Sequence, residues 1–168
     1  CIPYPEIKII NLGSSCIYPL DASNPIKEDS FMTGKLEPTN SPYAMAKIAS
    51  IEIGRSINTQ FGHNVVNLMP TNLYGPNDFY SKTDSHVIPG LIYRMHEAKV
   101  KNDSSFYIWG TGNPLREFLY VDDLGSSCVF ALENWRPNLK ELNFFFYIFL
   151  LFQTYQMINL KHELPLLL

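Results

Sequence analysis

Ser41-Pro42-Tyr43-Ala44-Met45-Ala46-Lys47-Ile48 opens a segment that runs on to Phe61-Gly62, and His63-Asn64-Val65-Val66-Asn67-Leu68-Met69-Pro70 follows it directly. Serine is a good N-cap and proline suits the first helical position, so the pattern predicts a helix starting at Ser41-Pro42. Ile48, Ile51, Ile57 and Phe61 recur at roughly helical spacing, and Gly62 is the expected stop. His63 to Met69 then reads as a strand halted by Pro70. Upstream, Glu6 to Gly13 is a short apolar run that reads as a buried strand, ending in the polar turn Gly13-Ser14-Ser15-Cys16. Strand, helix, strand is the repeating unit of an α/β fold with parallel crossovers.

Outward from this unit the alternation continues. Asp21 to Asn40 is rich in Pro, Ser, Asn and charge and reads as an irregular surface loop. Thr71 to Asp84 is a second loop. Val87 to Ala98 is a helix with Pro89 tolerated in its first turn. Phe106 to Trp109 is a short strand turning at Gly110-Thr111-Gly112-Asn113, Arg116 to Val121 is another, and Asp122 caps a helix to about Glu133. The tail differs: Asn143-Phe144-Phe145-Phe146-Tyr147-Ile148-Phe149-Leu150-Leu151-Phe152 is almost unbroken apolar sequence. A membrane span needs ~20 such residues, and a globular segment without a polar face aggregates when exposed. The expected division is a domain over 1–142 and an apolar tail over 143–168 that is foreign to the fold; a truncated buried strand or helix is the other reading of the tail.

The whole chain has 168 residues, 46% of them hydrophobic and 17% charged, which supports a packed core and argues against wholesale disorder. The net charge of -3 offers no basic excess to neutralise phosphates, so nucleic-acid binding is disfavoured, and no polybasic run addresses a lipid surface. Three cysteines, Cys1, Cys16 and Cys128, without metal-type spacing, argue against a disulfide scaffold and for a reducing compartment. The start, Cys1-Ile2-Pro3-Tyr4-Pro5, has no initiator Met and no signal-peptide pattern, and reads as a fragment.

Candidate chemistry gathers at strand ends, where open α/β sheets bind their ligands. Tyr43 and Lys47 stand at i and i+4 and share a helix face. A nearby ammonium favours a phenolate, which makes a phenol a better acid near neutrality. Tyr4 and Lys8 have the same spacing, but Pro5 forbids a shared helix there. In Gly13-Ser14-Ser15-Cys16, Ser14 suits a substrate carbonyl and Cys16 suits a base or nucleophile, while the stretch taken by itself reads more simply as a plain Ser-rich turn with a buried Cys. His86 precedes a helix, where the dipole disfavours the charged imidazole. Of the other histidines, His63 reads as a turn residue, His96 as a surface position, and His162 lies in the tail. Pro70-Thr71-Asn72-Leu73 fits either a ligand floor or an ordinary turn. Trp109 and Arg116, read on two strands joined by a Gly turn, fit a nucleotide grip or an ordinary hairpin. No G-x-G-x-x-G is present.

Taken together, Leu12-Gly13-Ser14-Ser15-Cys16-Ile17-Tyr18-Pro19, Glu37-Pro38-Thr39-Asn40-Ser41-Pro42-Tyr43-Ala44-Met45-Ala46-Lys47, Met69-Pro70-Thr71-Asn72-Leu73-Tyr74-Gly75-Pro76, Ser85-His86-Val87-Ile88-Pro89, Trp109-Gly110-Thr111-Gly112-Asn113-Pro114-Leu115-Arg116-Glu117-Phe118 and Val121-Asp122-Asp123-Leu124 closely resemble the GDP-L-fucose synthases. These belong to the extended short-chain dehydrogenase/reductase superfamily. The resemblance covers roughly residues 6 to 142. It implies a partial Rossmann-like, doubly wound parallel sheet, comprising the C-terminal part of the cofactor domain and part of the substrate domain. It further implies an NADPH-dependent enzyme that epimerises C3 and C5 of GDP-4-keto-6-deoxy-D-mannose and then reduces the C4 ketone.

Carried over by position, the resemblance implies a reductase triad of Ser14, Tyr43 and Lys47. Ser14 binds the C4 oxygen, Tyr43 donates its proton as hydride arrives, and Lys47 holds the nicotinamide ribose. Cys16 is then the epimerisation base and His86 the acid. Leu12, Gly13, Ser14, Ser15, Tyr43, Lys47, Pro70, Thr71, Asn72, Leu73 and His86 would contact NADP(H). Arg94, Trp109 and Arg116 would contact the GDP-sugar. A cytoplasmic homodimer is implied, with the Tyr43 helix and the helix after His86 at the interface. Simple 4-epimerases keep a Tyr/Lys pair but typically lack the Cys/His pair, so Cys16 with His86 points to the epimerase-reductase. Another nucleotide-sugar epimerase or dehydratase, or a non-catalytic truncated remnant, are the alternatives. The family's N-terminal glycine-rich region and C-terminal substrate segment are missing from the match, so the isolated chain is expected to be inactive and poorly soluble.

Overall fold

The structure is a computed structural model that describes residues 3–4, 6–108, 110–113 and 116–134. The described residues divide into two compact units, one of residues up to 71 with 123–134 and the other of residues 72–122. The apolar run of 143–152 and His162 lie outside the described residues.

In the first unit, β1 (Lys8–Leu12) leads through a long loop into α1 (Ser41–Phe61), which returns to β2 (Asn64–Leu68). β1 and β2 pair in parallel, from Lys8 opposite Asn64 to Leu12 opposite Leu68. The predicted crossover unit is therefore present. Because the strands are parallel, α1 runs back against them, and its N-terminal turns stand over their carboxyl ends. The second long helix of this unit is α3 (Val121–Asn134), whose Ala131 is fully buried with Val66 and Leu68, and Ile10 and Cys128 pack alongside. Alternate residues of β2 thus serve different helices: Val66 and Leu68 meet α3, while Val65 lies against Gly54 of α1. Helices on both faces of a parallel sheet are the doubly wound arrangement.

α1 buries Ala44, Ile48, Ile51 and Gly54, a stripe at intervals of four, three and three. Ile48 and Ile51 form a core with Ile17, joined by Tyr18, Phe31, Leu36 and Met69. Each fully buried isoleucine contributes about 1.5–3 kcal/mol. Ser41 is the first helical residue and Asn40 the N-cap, one position earlier than the sequence pattern suggests. The end is as expected: Gly62 adopts φ 69°, the left-handed region that glycine enters without strain, and its N–H reaches the Asn58 carbonyl. Phe61 of the anticipated apolar stripe is 47% exposed. A helix of 21 residues outreaches a five-residue strand, so its last turns overhang the sheet.

His63 is 1% exposed and edge-on to Phe61, with centroids 6.5 Å apart. It is a core residue at the entry to β2, not the turn residue its sequence position suggests. His96 is exposed, as read. The loop after β1 is tied at its base by Leu20 N–H donating to the Lys35 carbonyl. Burial beside the Glu28 carboxylate pushes the Tyr18 phenol up to about 12, against the opposing pull of Arg55.

The second unit holds β3 (Asn72–Tyr74) and β4 (Phe118–Tyr120), paired in parallel, and α2 (Val87–Lys101). β3 falls inside the stretch that reads as loop. Three residues are too few for periodicity to show, and their partner lies far along the chain. Conversely, 106–108 form no strand, and Tyr107 is 88% exposed. β4 pairs with β3, and Trp109, on which the hairpin reading depends, lies outside the described residues. Among the described residues, no helix is long and apolar enough to cross a membrane.

Candidate active site

β1 ends at Leu12, and Gly13 closes the strand by donating its N–H to the Leu68 carbonyl of β2 at 2.8 Å. The sulfur of Met69 stands so near that a Cβ on Gly13 would lie 2.1 Å from it. The turn after β1 and the turn after β2, with Pro70 and Thr71, are therefore pressed side by side at the carboxyl edge of the sheet. Ser14 is the N-cap of a single 3₁₀ turn, Ser15–Ile17, and its Oγ accepts from the Cys16 N–H at 3.3 Å. That bond uses Ser14 as acceptor and leaves its hydroxyl proton for a donor role. Cys16 is a free thiol, half-buried in the turn, while Ile17 beside it is anchored in the core against Ile48. The turn thus offers alternating polar groups over a fixed apolar foot.

From α1, Lys47 reaches this edge. Its Nζ donates to the Leu12 carbonyl at 2.8 Å and lies 5.7 Å from the Tyr43 ring centroid. Tyr43 is half exposed. Tyr43 and Lys47 each precede a buried residue, Ala44 and Ile48, so they flank the stripe that seats the helix. The N-terminal end of α1 is itself organised by Glu37. Its Oε2 accepts from the Thr39 hydroxyl at 2.6 Å and from the Asn40 N–H at 2.9 Å. These bonds, with the Thr39 hydroxyl leading, hold the Glu37 carboxyl below the usual carboxylate range. The sequence pattern that marks Ser41-Pro42 as the helix start does not point to Glu37, although a carboxylate just ahead of a helix start is a recognisable capping signal.

The structure thus brings Leu12, Gly13, Ser14, Ser15, Cys16, Tyr43, Lys47, Pro70 and Thr71 into one unit, on the loops and helix turns around the ends of β1 and β2. Asn72, Leu73, His86, Arg94 and Arg116 belong to the second unit. There, Asn72 Nδ2 donates to the Glu117 carbonyl at 3.0 Å, so this side chain holds β3 to the approach of β4. Leu73 is partly exposed. His86 is the N-cap of α2 and exposed; its backbone carbonyl accepts from Gly90 N–H at 3.0 Å, and its side chain makes no capping bond. Just before it, the Ser85 hydroxyl both accepts from the Ser81 N–H and donates to the Ser81 carbonyl, tightening the turn that leads into the helix. Arg94 lies two turns along α2 and reaches the Lys82 carbonyl at 3.4 Å. Arg116 is exposed ahead of β4. Trp109 lies outside the described residues.

The chain is similar to several known proteins. GDP-L-fucose synthase 1 of Arabidopsis thaliana is 52% identical over 136 residues, covering 81% of this chain and 42% of that protein. The GDP-L-fucose synthase of Escherichia coli K12 is 46% identical over 144 residues, covering 81% and 45%. Among solved structures, a GDP-L-fucose synthetase from Naegleria fowleri bound to NADP superposes with a TM-score of 0.70 at 31% identity, covering 79% of this chain and 42% of that one. The chain spans about two fifths of the length of the curated relatives it matches. Residues 3–143 match the family described as NAD dependent epimerase/dehydratase. A parallel crossover with a Tyr/Lys helix over its strand ends, and a family match across most of the sequence, identify this chain as a member of the NAD dependent epimerase/dehydratase family.

Proposed function

We propose that the protein containing this chain makes GDP-L-fucose from GDP-4-keto-6-deoxy-D-mannose, as an NADPH-dependent 3,5-epimerase and 4-reductase. The observation that carries this reading is the Lys47 ammonium seated on the Leu12 carbonyl, with the Tyr43 phenol on the same helix face and the Ser14-Ser15-Cys16 turn beginning two residues after Leu12. The donor set fits a nicotinamide riboside: an ammonium with protons to spare for ribose hydroxyls, and a phenol and a serine hydroxyl for a ketone. NADPH, when bound, supplies the hydride.

The remaining steps belong to the chain. Cys16 as thiolate takes the proton from C3, which the C4 ketone acidifies, and His86 delivers a different proton to the other face of the ring. Cys16 then releases its proton to solvent and His86 takes one up before the same pair acts at C5, which the ketone acidifies equally. Ser14 donates a hydrogen bond to the C4 oxygen, and Tyr43 delivers its proton there as the alcohol forms. Lys47 orients the ribose and stabilises negative charge on the phenol. Leu12, Gly13, Ser15, Pro70, Thr71, Asn72 and Leu73 line the cofactor side, and Arg94, Trp109 and Arg116 take the GDP-sugar. A cytoplasmic homodimer completes the reading.

Incubating the complete protein with NADPH and GDP-4-keto-6-deoxy-D-mannose tests this. NADPH oxidation with deuterium incorporation from heavy water at C3 and C5 supports it. Reduction without exchange overturns the epimerase half, and neither activity overturns the whole.

A further inference from the structure

Beneath the Tyr43 and Lys47 turns of α1 lies a polar contact that the candidate active site does not use. Asn11 of β1 and Asn67 of β2 are register partners, and Asn11 Nδ2 donates to Asn67 Oδ1 at 2.8 Å. Ser50 of α1 donates its hydroxyl to Asn11 Oδ1. One turn further along α1, Gly54 sits against β2: a Cβ there would stand 2.9 Å from Val65 Cγ1 and 3.7 Å from Asn67 Oδ1. All three polar side chains are half-buried. An apolar pair at these positions would avoid the desolvation of two amides.

The contact has a mechanical consequence. Lys47 and Ser50 are three residues apart on one helix face. Lys47 bonds the Leu12 carbonyl and Ser50 bonds the Asn11 side chain, so two adjacent turns of α1 grip consecutive residues of β1. One bond alone lets a helix roll about it; two bonds a turn apart fix both roll and slide. Asn67 completes the device, because accepting the Asn11 amide protons leaves Asn11 Oδ1 facing Ser50.

We infer that Asn11, Ser50 and Asn67 are positioning residues that set the register of α1 on β1, and through it the placement of Lys47 and the Tyr43 phenol. The inference rests on the reductase reading above. Misplacement of a reacting group by about 1 Å costs up to ~100-fold in rate, so a loosened helix acts on turnover before it acts on folding.

The test is made in the complete protein. Asn11→Val/Ser50→Ala/Asn67→Val removes every member together, a replacement that is close to neutral for stability. The expected result is a Tm at or above that of the unmodified protein, a kcat for ketone reduction lower by about tenfold at saturating NADPH, and an unchanged KM for the keto-sugar and unchanged C3/C5 exchange. Backbone amides of 41–50 exchange faster. Ser50→Thr, which keeps the hydroxyl, retains kcat. Should the triple variant not fold, Ser50→Ala against Ser50→Thr makes the same comparison. Full kcat in the folded variant, or equal losses of reduction and exchange, overturns the inference. If the unmodified complete protein reduces no keto-sugar, the reductase reading fails by itself. Amide exchange then decides the network, and unaltered protection over 41–50 overturns it.

Discussion

Lys47 Nζ donates to the backbone carbonyl of Leu12, 2.8 Å away and 35 residues earlier in the chain. The bond ties the Tyr43 and Lys47 face of α1 to the last residue of β1. A lysine at i+4 from a tyrosine is only a spacing; a lysine bonded at the carboxyl end of a parallel strand stands where an open α/β sheet takes its ligand.

Lys47→Met keeps the length of the side chain and removes its charge and its bond. The reduction rate of the complete protein should fall by about 100-fold or more, the usual scale for disabling a positioned acid. Tm should change little, since a single hydrogen bond contributes only about 0.5–1.5 kcal/mol. Steady-state kinetics beside a thermal melt check both.

The proposed division of labour between thiol and phenol predicts opposite phenotypes. Tyr43→Phe should lower ketone reduction by about 10²–10⁴-fold while deuterium exchange at C3 and C5 survives. Cys16→Ser should suppress that exchange. Mass spectrometry of recovered sugar nucleotide reads the exchange directly, and equal impairment of both activities by both variants contradicts the assignment.

Gly54→Ala sets helix propensity against packing. Alanine favours a helix by about 1 kcal/mol over glycine. Its Cβ, however, would sit 2.9 Å from Val65 Cγ1, a stiff β-branched side chain, and such overpacking costs about 1–3 kcal/mol. Packing should win, giving net destabilisation by denaturant unfolding, and Val65→Ala in the same protein should recover part of it.

Tyr18 carries an alkaline signature. Its phenol is raised from 10.0 to about 12 by burial first and by Glu28 second. The fold favours the protonated form, so this contribution is complete below pH 10 and is lost as pH rises through about 12. The Tm difference between the unmodified protein and Tyr18→Phe should therefore shift against the unmodified protein across that window and stay flat below it.

Glu37 gives the opposite sign at acid pH. Its carboxyl is lowered from 4.5 by the Thr39 bonds, so its contribution is present above that value and is lost as pH falls below it. Glu37→Ala should lower Tm at neutral pH, with the difference closing in acid; a pH series of melts checks it.

Much of this architecture was legible as local pattern. The β1–α1–β2 crossover follows from an apolar run ending at Gly13, a Ser-Pro start, a 3.6-residue stripe and a glycine stop, each a short-range preference that tertiary packing then reinforces. β3 was not legible, because Asn72–Tyr74 is a strand only by virtue of pairing with Phe118–Tyr120. The apolar run at 106–108 erred the other way, since apolarity without a partner makes no strand. His63 looks like a turn residue because it follows a glycine stop, yet at 1% exposure it is core, and burial is a tertiary property that a glycine stop does not encode.

By itself, the sequence determined the α/β alternation, the acid-base repertoire of thiol, phenol, ammonium and imidazole, and the order in which they occur. Those depend on residue type and spacing, which the chain states outright. Tertiary structure alone decided that Lys47 meets Leu12, that Ser50 grips an Asn11–Asn67 pair, and that Glu37 organises the start of α1. Two of these three join positions more than 30 residues apart, where closure is set by how a helix face beds on a sheet, and no local preference encodes that distance. In the third the residues are neighbours, but the bond still needs the loop to turn the carboxylate back toward the helix.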